Sequence, residues 1–267
     1  LSPDGSHAVF SSASANLVSG DTNNQVDVFV KNLVTGQVTR VSRTTSGGQA
    51  NGPSVRPSIS GDNRYVAFES QATNLVPGFT TQYRCYLRDL QTDQITCVST
   101  SWNGGSPNSF CHNPNLNANG QFVSFHTSAT DIVQGGTNGV PHQYSRDLTN
   151  GLSVVYSVAT SGQEGNGGSI GGNFSEDGGR VIFQSEATNL TPGDTNGSYD
   201  VFLHDFSSEE TTLLSKNESG QIGNGESAST RLSLDGTTAV FCSRSSNLVP
   251  SDTNGVGDVF LVRLNPS

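Results

Sequence analysis

The chain lacks the features that mark several large functional classes. No stretch approaches the ~18 consecutive apolar residues a membrane-spanning helix requires. The start, Leu1-Ser2-Pro3-Asp4, has neither a methionine nor the basic-then-apolar pattern of a signal peptide, so the sequence reads as a mature or excised segment. Positive charge is scarce: 13 Lys+Arg stand against 23 Asp+Glu, a net charge of −10. Such a surface repels the phosphate backbone, which excludes nucleic acid as the expected partner. Four cysteines are too few for a disulfide scaffold in 267 residues, and no C-x-x-C spacing suggests zinc. There is no G-x-S-x-G elbow, no H-E-x-x-H and no Gly-rich phosphate loop, and the five histidines fall at unrelated positions. Helical periodicity is missing throughout.

What the chain does have is repetition. The turn Ser2-Pro3-Asp4-Gly5 returns as Ser60-Gly61-Asp62-Asn63, Asn117-Ala118-Asn119-Gly120, Ser175-Glu176-Asp177-Gly178 and Ser233-Leu234-Asp235-Gly236, at steps of 58, 57, 58 and 58 residues. Each turn leads into an apolar run ending in Phe (Phe10, Phe68, Phe125, Phe183, Phe241), then a loop opening with Asn-Leu-Val or a near match. A further strand such as Asp27-Val28-Phe29-Val30 follows, then a hairpin turn such as Leu33-Val34-Thr35-Gly36, then a short strand and a Gly/Asn/Ser linker. Each repeat thus holds four short antiparallel strands, a to d. Four strands per repeat is the arithmetic of a β-propeller blade, in which radial repetition protects sheet edges.

The fold expected is an all-β, single-domain propeller of five four-stranded blades, over about 1–57, 58–114, 115–172, 173–230 and 231–267, with the first and last incomplete. A window of a propeller with more blades is the alternative. The motifs S-x-D-G, V-x-F, N-L-V-x-G-D-T-N-x-x-x-D-V-F and D-L-x-T-G resemble the TolB-like, WD40-like (PD40) repeats of bacterial secreted proteins, over essentially the whole chain. The resemblance implies a secreted, surface or periplasmic propeller. It implies no particular activity, because binding, scaffold and enzyme-appended domains share the repeat.

Chain reversal places the a–b and c–d turns on one face and the longer b–c loops and d–a linkers on the other, where recognition is expected. Three b–c loops carry Asp-x-Asn-x-x-x-Asp: Asp21, Asn23, Asp27; Asp194, Asn196, Asp200; Asp252, Asn254, Asp258. These oxygen donors suit Ca²⁺, and serve equally as Asx-turns without metal. A residue present in every repeat builds the blade, so departures from the pattern are the candidates for individual work. They concentrate in the second and third repeats, where Tyr83, Arg84, Trp102, Phe110 and His142 form a candidate partner surface of interface-enriched types. Local gap-filling between blades is the competing account.

Cys85, Cys97 and Cys111 are disulfide candidates: with Leu90 opposite Gln94, Cys85 faces Ser99, so a Cys85–Cys97 bridge is diagonal and needs a small register shift, and Cys97–Cys111 is the competing pair. Sequons at Asn173, Asn189, Asn196 and Asn217 are a minor signal. The inner strands carry no carboxylate, which argues against a glycosidase-type propeller. The expected function is a non-catalytic extracellular protein-binding or scaffold module. The alternatives are a lectin-like carbohydrate binder and a structural subunit of an extracellular assembly.

Overall fold

The computed structural model describes residues 1–265. These form eighteen strands and no helix. The first repeat holds β1 (His7–Ser12), β2 (Asp27–Asn32) and β3 (Val38–Arg40); the second β4 (Ser54–Ile59), β5 (Tyr65–Ser70), β6 (Arg84–Asp89) and β7 (Ile95–Cys97). The third holds β8 (Cys111–Leu116), β9 (Phe122–Thr127), β10 (His142–Asp147) and β11 (Ser153–Val155); the fourth β12 (Ser169–Phe174), β13 (Arg180–Ser185), β14 (Asp200–Asp205) and β15 (Glu210–Leu213). The last holds β16 (Ser227–Leu232), β17 (Thr238–Ser243) and β18 (Asp258–Arg263). In every sheet the strands lie in chain order, and the first and last sheets have three strands where the others have four. This is the β-propeller arrangement, with short first and last blades as expected. By contacts the chain forms two compact bodies, Leu1–Gly136 with Ser145–Val154, and Thr137–Tyr144 with the described residues from Val155 onward.

The a–b turn is built by side chains. Ser175 Oγ donates to Asp177 Oδ1 (2.6 Å), which also accepts from the Gly179 N–H (2.9 Å), while the Arg180 N–H donates back to Ser175 Oγ (3.0 Å). The same triangle recurs at Ser2/Asp4, Ser60/Asp62 and Ser233/Asp235. In the third repeat two asparagines reproduce it: Asn117 Nδ2 donates to Asn119 Oδ1 (2.6 Å), which accepts from the Gln121 N–H, and Asn117 Oδ1 accepts from the Phe122 N–H. The turn therefore requires an acceptor at the third position and a donor–acceptor at the first, not a charge.

The c–d turns have four loop residues, the last in the left-handed region: Gly36, Asp93, Gly151 and Glu209, at φ of 78°, 59°, 71° and 56°. The strand residue before each loop, Asn32, Asp89, Asp147 or Asp205, accepts loop N–H groups on its side-chain oxygen. This geometry corrects the expected register of the second repeat. Asp89 bonds the Gln94 carbonyl, so Tyr86 faces Cys97 and Cys85 is offset from it by one residue. All four cysteines are free thiols in the structure, and the proposed bridges are not formed.

Cross-strand aromatic pairs fill the first, second, fourth and fifth blades. Phe10 faces Phe29, Phe68 faces Tyr86, Phe183 faces Phe202 and Phe241 faces Phe260, with ring centroids 5.6–5.9 Å apart. The c strands β2, β6 and β14 are buried on both parities, which explains their unbroken apolar runs.

A second repeated device clamps each d–a linker to the b–c loop that follows. Asn51 accepts from the Thr73 N–H and donates to Thr73 Oγ1, while its own N–H donates to Asn74 Oδ1. Asn108 with Thr130 and Asp131, Asn166 with Thr188 and Asn189, and Asn224 with Ser246 and Asn247 repeat it. If the turn requires an acceptor rather than a charge, Asp177→Asn should leave stability within about 0.5 kcal/mol, whereas Asp177→Ala should cost about 1 kcal/mol or more in urea unfolding.

Candidate partner-binding surface

The first residue of strand c organises each b–c loop. In the first repeat this is Asp27: Oδ1 accepts from Ser42 Oγ (2.6 Å), Oδ2 accepts from Asn23 Nδ2 (2.9 Å), and the Val28 N–H donates to the same serine. Asp200 repeats the arrangement with Ser215 and Asn196. The equivalent residues in the second and third repeats are Arg84 and His142. His142 bonds Ser157 Oγ and Asn138 Oδ1, each at 2.9 Å. Arg84 donates to Thr80 Oγ1, Gln82 Oε1, Ser106 Oγ and the carbonyls of Tyr83, Pro107 and Ser109. Ser99, the equivalent of Ser42, accepts the Cys85 N–H.

Arg84 and His142 are both fully buried. The expectation that they face a partner is therefore corrected: departures from the repeat there are substitutions of a structural anchor. Burial lowers the His142 pKa, the nearby Glu164 opposing it. A recurring serine fifteen residues downstream marks the anchor in the sequence whatever its chemistry.

The Asp-x-Asn loops divide three ways. In the first, the Arg40 guanidinium lies 3.0 Å from Asp21 and 3.4 Å from Asp27 and bridges the pair, offsetting one of its two charges. In the fourth, Leu213 occupies the equivalent strand position, opposite Phe202 as Arg40 is opposite Phe29. There burial raises the Asp200 pKa to about 6, against hydrogen bonds from Ser215 and Asn196, and burial raises Asp194 as well. In the fifth, Asn254 donates to Asp258 in an exposed loop. Among the described residues no group of three or more His, Cys, Asp or Glu side chains is arranged to hold a metal. The sequon asparagines are occupied: the side-chain amides of Asn189, Asn196 and Asn217 donate to protein oxygens, and Asn173 accepts from Arg231.

Tyr83 and Phe110 do come together, around His112. The His112 ring centroid lies 5.7 Å from Tyr83, 6.0 Å from Phe110 and 5.6 Å from His126. Beneath it is Glu69 on β5, fully buried and absent from the sequence expectation. Glu69 is bonded to His112 Nδ1 (3.1 Å), accepts the Asn113 N–H (2.6 Å) and pairs with Arg56 (3.3 Å). Burial alone would raise its pKa, yet the bonds from His112 and Asn113 and the Arg56 charge bring the net shift downward. Gln184 plays the neutral version in the fourth repeat, accepting the Ser229 N–H. In both cases the donor lies at a left-handed bulge residue of strand a, Asn113 at φ 52° and Ser229 at φ 56°. A carboxylate directly after the apolar run Val66–Phe68, within the same strand, was the available signal for Glu69.

Trp102 stands apart from this ring cluster. It is 58% exposed, and its backbone N–H donates to the Asp131 carbonyl. Phe110, in the same linker, is 47% exposed, and the Arg56 side chain is 60% exposed. The gap-filling account of Trp102 is thus not supported by its exposure. The surface over the second and third repeats combines two exposed rings, a half-buried tyrosine and imidazole, and an arginine.

No protein-family model matches the chain, and no curated protein matches it in sequence. Solved structures do match. A TolB candidate from Agrobacterium tumefaciens superposes with a TM-score of 0.56 at 15% identity, covering 98% of this chain and 74% of the other. TolB from Acinetobacter baumannii gives 0.50 at 17% identity, covering 92% and 51%. The β-propeller domain of the Trilobed protease from Pyrococcus furiosus gives 0.54 at 8% identity, covering 97% and 65%. The chain therefore spans about half the length of the Acinetobacter TolB. At these identities the likeness defines the fold alone, a β-propeller. Among the described residues no helix is long and apolar enough to cross a membrane.

Two outcomes follow. Trp102→Ala should change stability by no more than about 0.5 kcal/mol, as exposed substitutions do, whereas Arg84→Met, which strips six buried or half-buried oxygens of their donor, should cost at least about 3 kcal/mol. His126 gives the pH dependence. Burial, with His112 adding to it, depresses its pKa from 6.5 to about 4. Between those values the unfolded chain binds a proton that the folded chain refuses. Stability should therefore fall as pH drops from 6.5 towards 4, by on the order of 3 kcal/mol. Urea titrations across that window should show a shallower slope for His126→Asn.

Proposed function

We propose that this propeller is a non-catalytic protein-binding module of an extracytoplasmic compartment, with the b–c loop and linker surface of the second and third repeats as its contact site. The observation that carries the reading is the exposure of Phe110 over the His112 ring that Tyr83 also contacts, with Trp102 exposed in the same linker, on an otherwise polar, acidic chain. Trp, Tyr and Arg are the residues that dominate binding energy at interfaces. The likeness to TolB propellers and to the propeller domain of a protease supports a module that serves other chains, and leaves the activity of any larger protein open to assay. The imidazoles of the cluster are bonded to Glu69 and to the Asn113 amide rather than to a nucleophile, which favours a structural use.

A test uses the immobilised chain to retain proteins from the extracytoplasmic fraction of its source organism. Trp102→Ala and Phe110→Ala should each weaken retention about tenfold or more, the hot-spot scale of ~2 kcal/mol, without moving the melting temperature. Retention unchanged in both variants would place the contact surface elsewhere. Loss of retention on adding free glycans would instead support a carbohydrate-binding reading built on Trp102 and Tyr83.

A further inference from the structure

The fourth b–c loop has a charge imbalance that its first-repeat counterpart lacks. Both loops bury two carboxylates, and in both the strand-c aspartate is held by a serine hydroxyl and an asparagine amide. In the first loop a guanidinium bridges Asp21 and Asp27. In the fourth, the residue at that position is Leu213, and Asp194 Oδ1 is buried without any hydrogen-bond partner. Asp194 is only 5% exposed and Asp200 is fully buried. Two buried carboxylates with one orphaned oxygen and no counter-charge are costly unless something fills the role of Arg40.

We infer that the loop Asp194–Asp200 is a Ca²⁺ site, with the orphaned Asp194 Oδ1 and the Asp200 carboxylate as its charged ligands. Several features select this ion. Both charged donors are carboxylate oxygens, which suit a hard cation rather than zinc or copper. The divalent charge matches the two aspartates as the single Arg40 charge, with its bond to Gln49, serves the first loop. The sequence neighbours of Asp194 (Pro192, Gly193, Thr195, Asn196) line a surface recess with Gly220 to Asn224, so the loop that carries the orphaned oxygen lies at the surface. With only two protein charges the affinity belongs with extracellular modules, Kd about 10⁻⁴–10⁻³ M. The inference is independent of the partner surface proposed above.

The test is thermal unfolding and titration calorimetry of the whole chain with CaCl₂ against chelator. The melting temperature should rise with Ca²⁺ and saturate at one site per chain by about 10 mM. Asp194→Asn should weaken binding at least tenfold, whereas Asp21→Asn should leave it unchanged because that loop carries its own cation. Leu213→Arg, which restores the first-loop arrangement, should abolish the Ca²⁺ response and serves as the second probe should Asp194→Asn fail to fold. No response of the wild-type chain up to about 10 mM Ca²⁺ would overturn the assignment. A response that survives both Asp194→Asn and Leu213→Arg would overturn it equally.

Discussion

In the first, third and fourth repeats, the bond between the first residue of strand c and the serine that opens the return from strand d is the contact on which the b–c loop depends. It ties the longest irregular segment of the blade to the most buried strand, and the same serine hydroxyl accepts the next strand-c N–H. Buried polar groups in such a place have to be satisfied by their neighbours. What the position demands is a side chain that complements a hydroxyl and the polar residue four positions upstream. Aspartate and histidine do so with Asn23 and Asn138 upstream, whereas Arg84 reaches Thr80 upstream and the linker carbonyls and leaves Ser99 to the Cys85 N–H. Chemistry at the anchor is variable because geometry is not.

That variability explains where the sequence was legible and where it misled. The blades, the turns and the short first and last sheets could be read because the spacing of Asp4, Asp62, Asp177 and Asp235 and of the Phe residues reports strand parity directly. The replacement of Ser/Asp by Asn117/Asn119 passes as noise in the sequence, but the structure shows the same hydrogen bonds. Arg84 and His142 looked like free surface chemistry since key partners lie in other segments, Ser157 fifteen residues downstream for His142 and Ser106, Pro107 and Ser109 of the linker for Arg84. The thiol pairing failed for a smaller reason: a left-handed Asp93 adds a residue to the turn and moves the register by one.

Glu69 illustrates the opposite error. Attention to the inner strands passed over strand b, where one repeat carries Glu and another Gln at the same place. The shared task is to accept the N–H of a left-handed bulge residue on the next blade, which would otherwise be stranded. Only in the second repeat does the acceptor bear a charge, and only there do an imidazole and a guanidinium gather over it. The exposed Phe110 therefore borders a charged cluster that is a local elaboration of a general scaffold contact.

The asparagine clamps have a consequence for how long the folded protein lasts. Asn51, Asn166 and Asn224 are each followed by glycine, the context in which an asparagine side chain is most easily attacked by the next backbone nitrogen and ages to a charged residue. In each, the side-chain oxygen and nitrogen are both held by the facing Thr or Ser at 2.8–3.0 Å, and the following glycine packs near the backbone of the opposite loop. Attack needs the carboxamide to leave those partners and the glycine nitrogen to swing towards it. Folding thus shelters three of the chain's chemically weakest bonds, and the interlock that joins loop to linker also sets the rate at which the protein wears out.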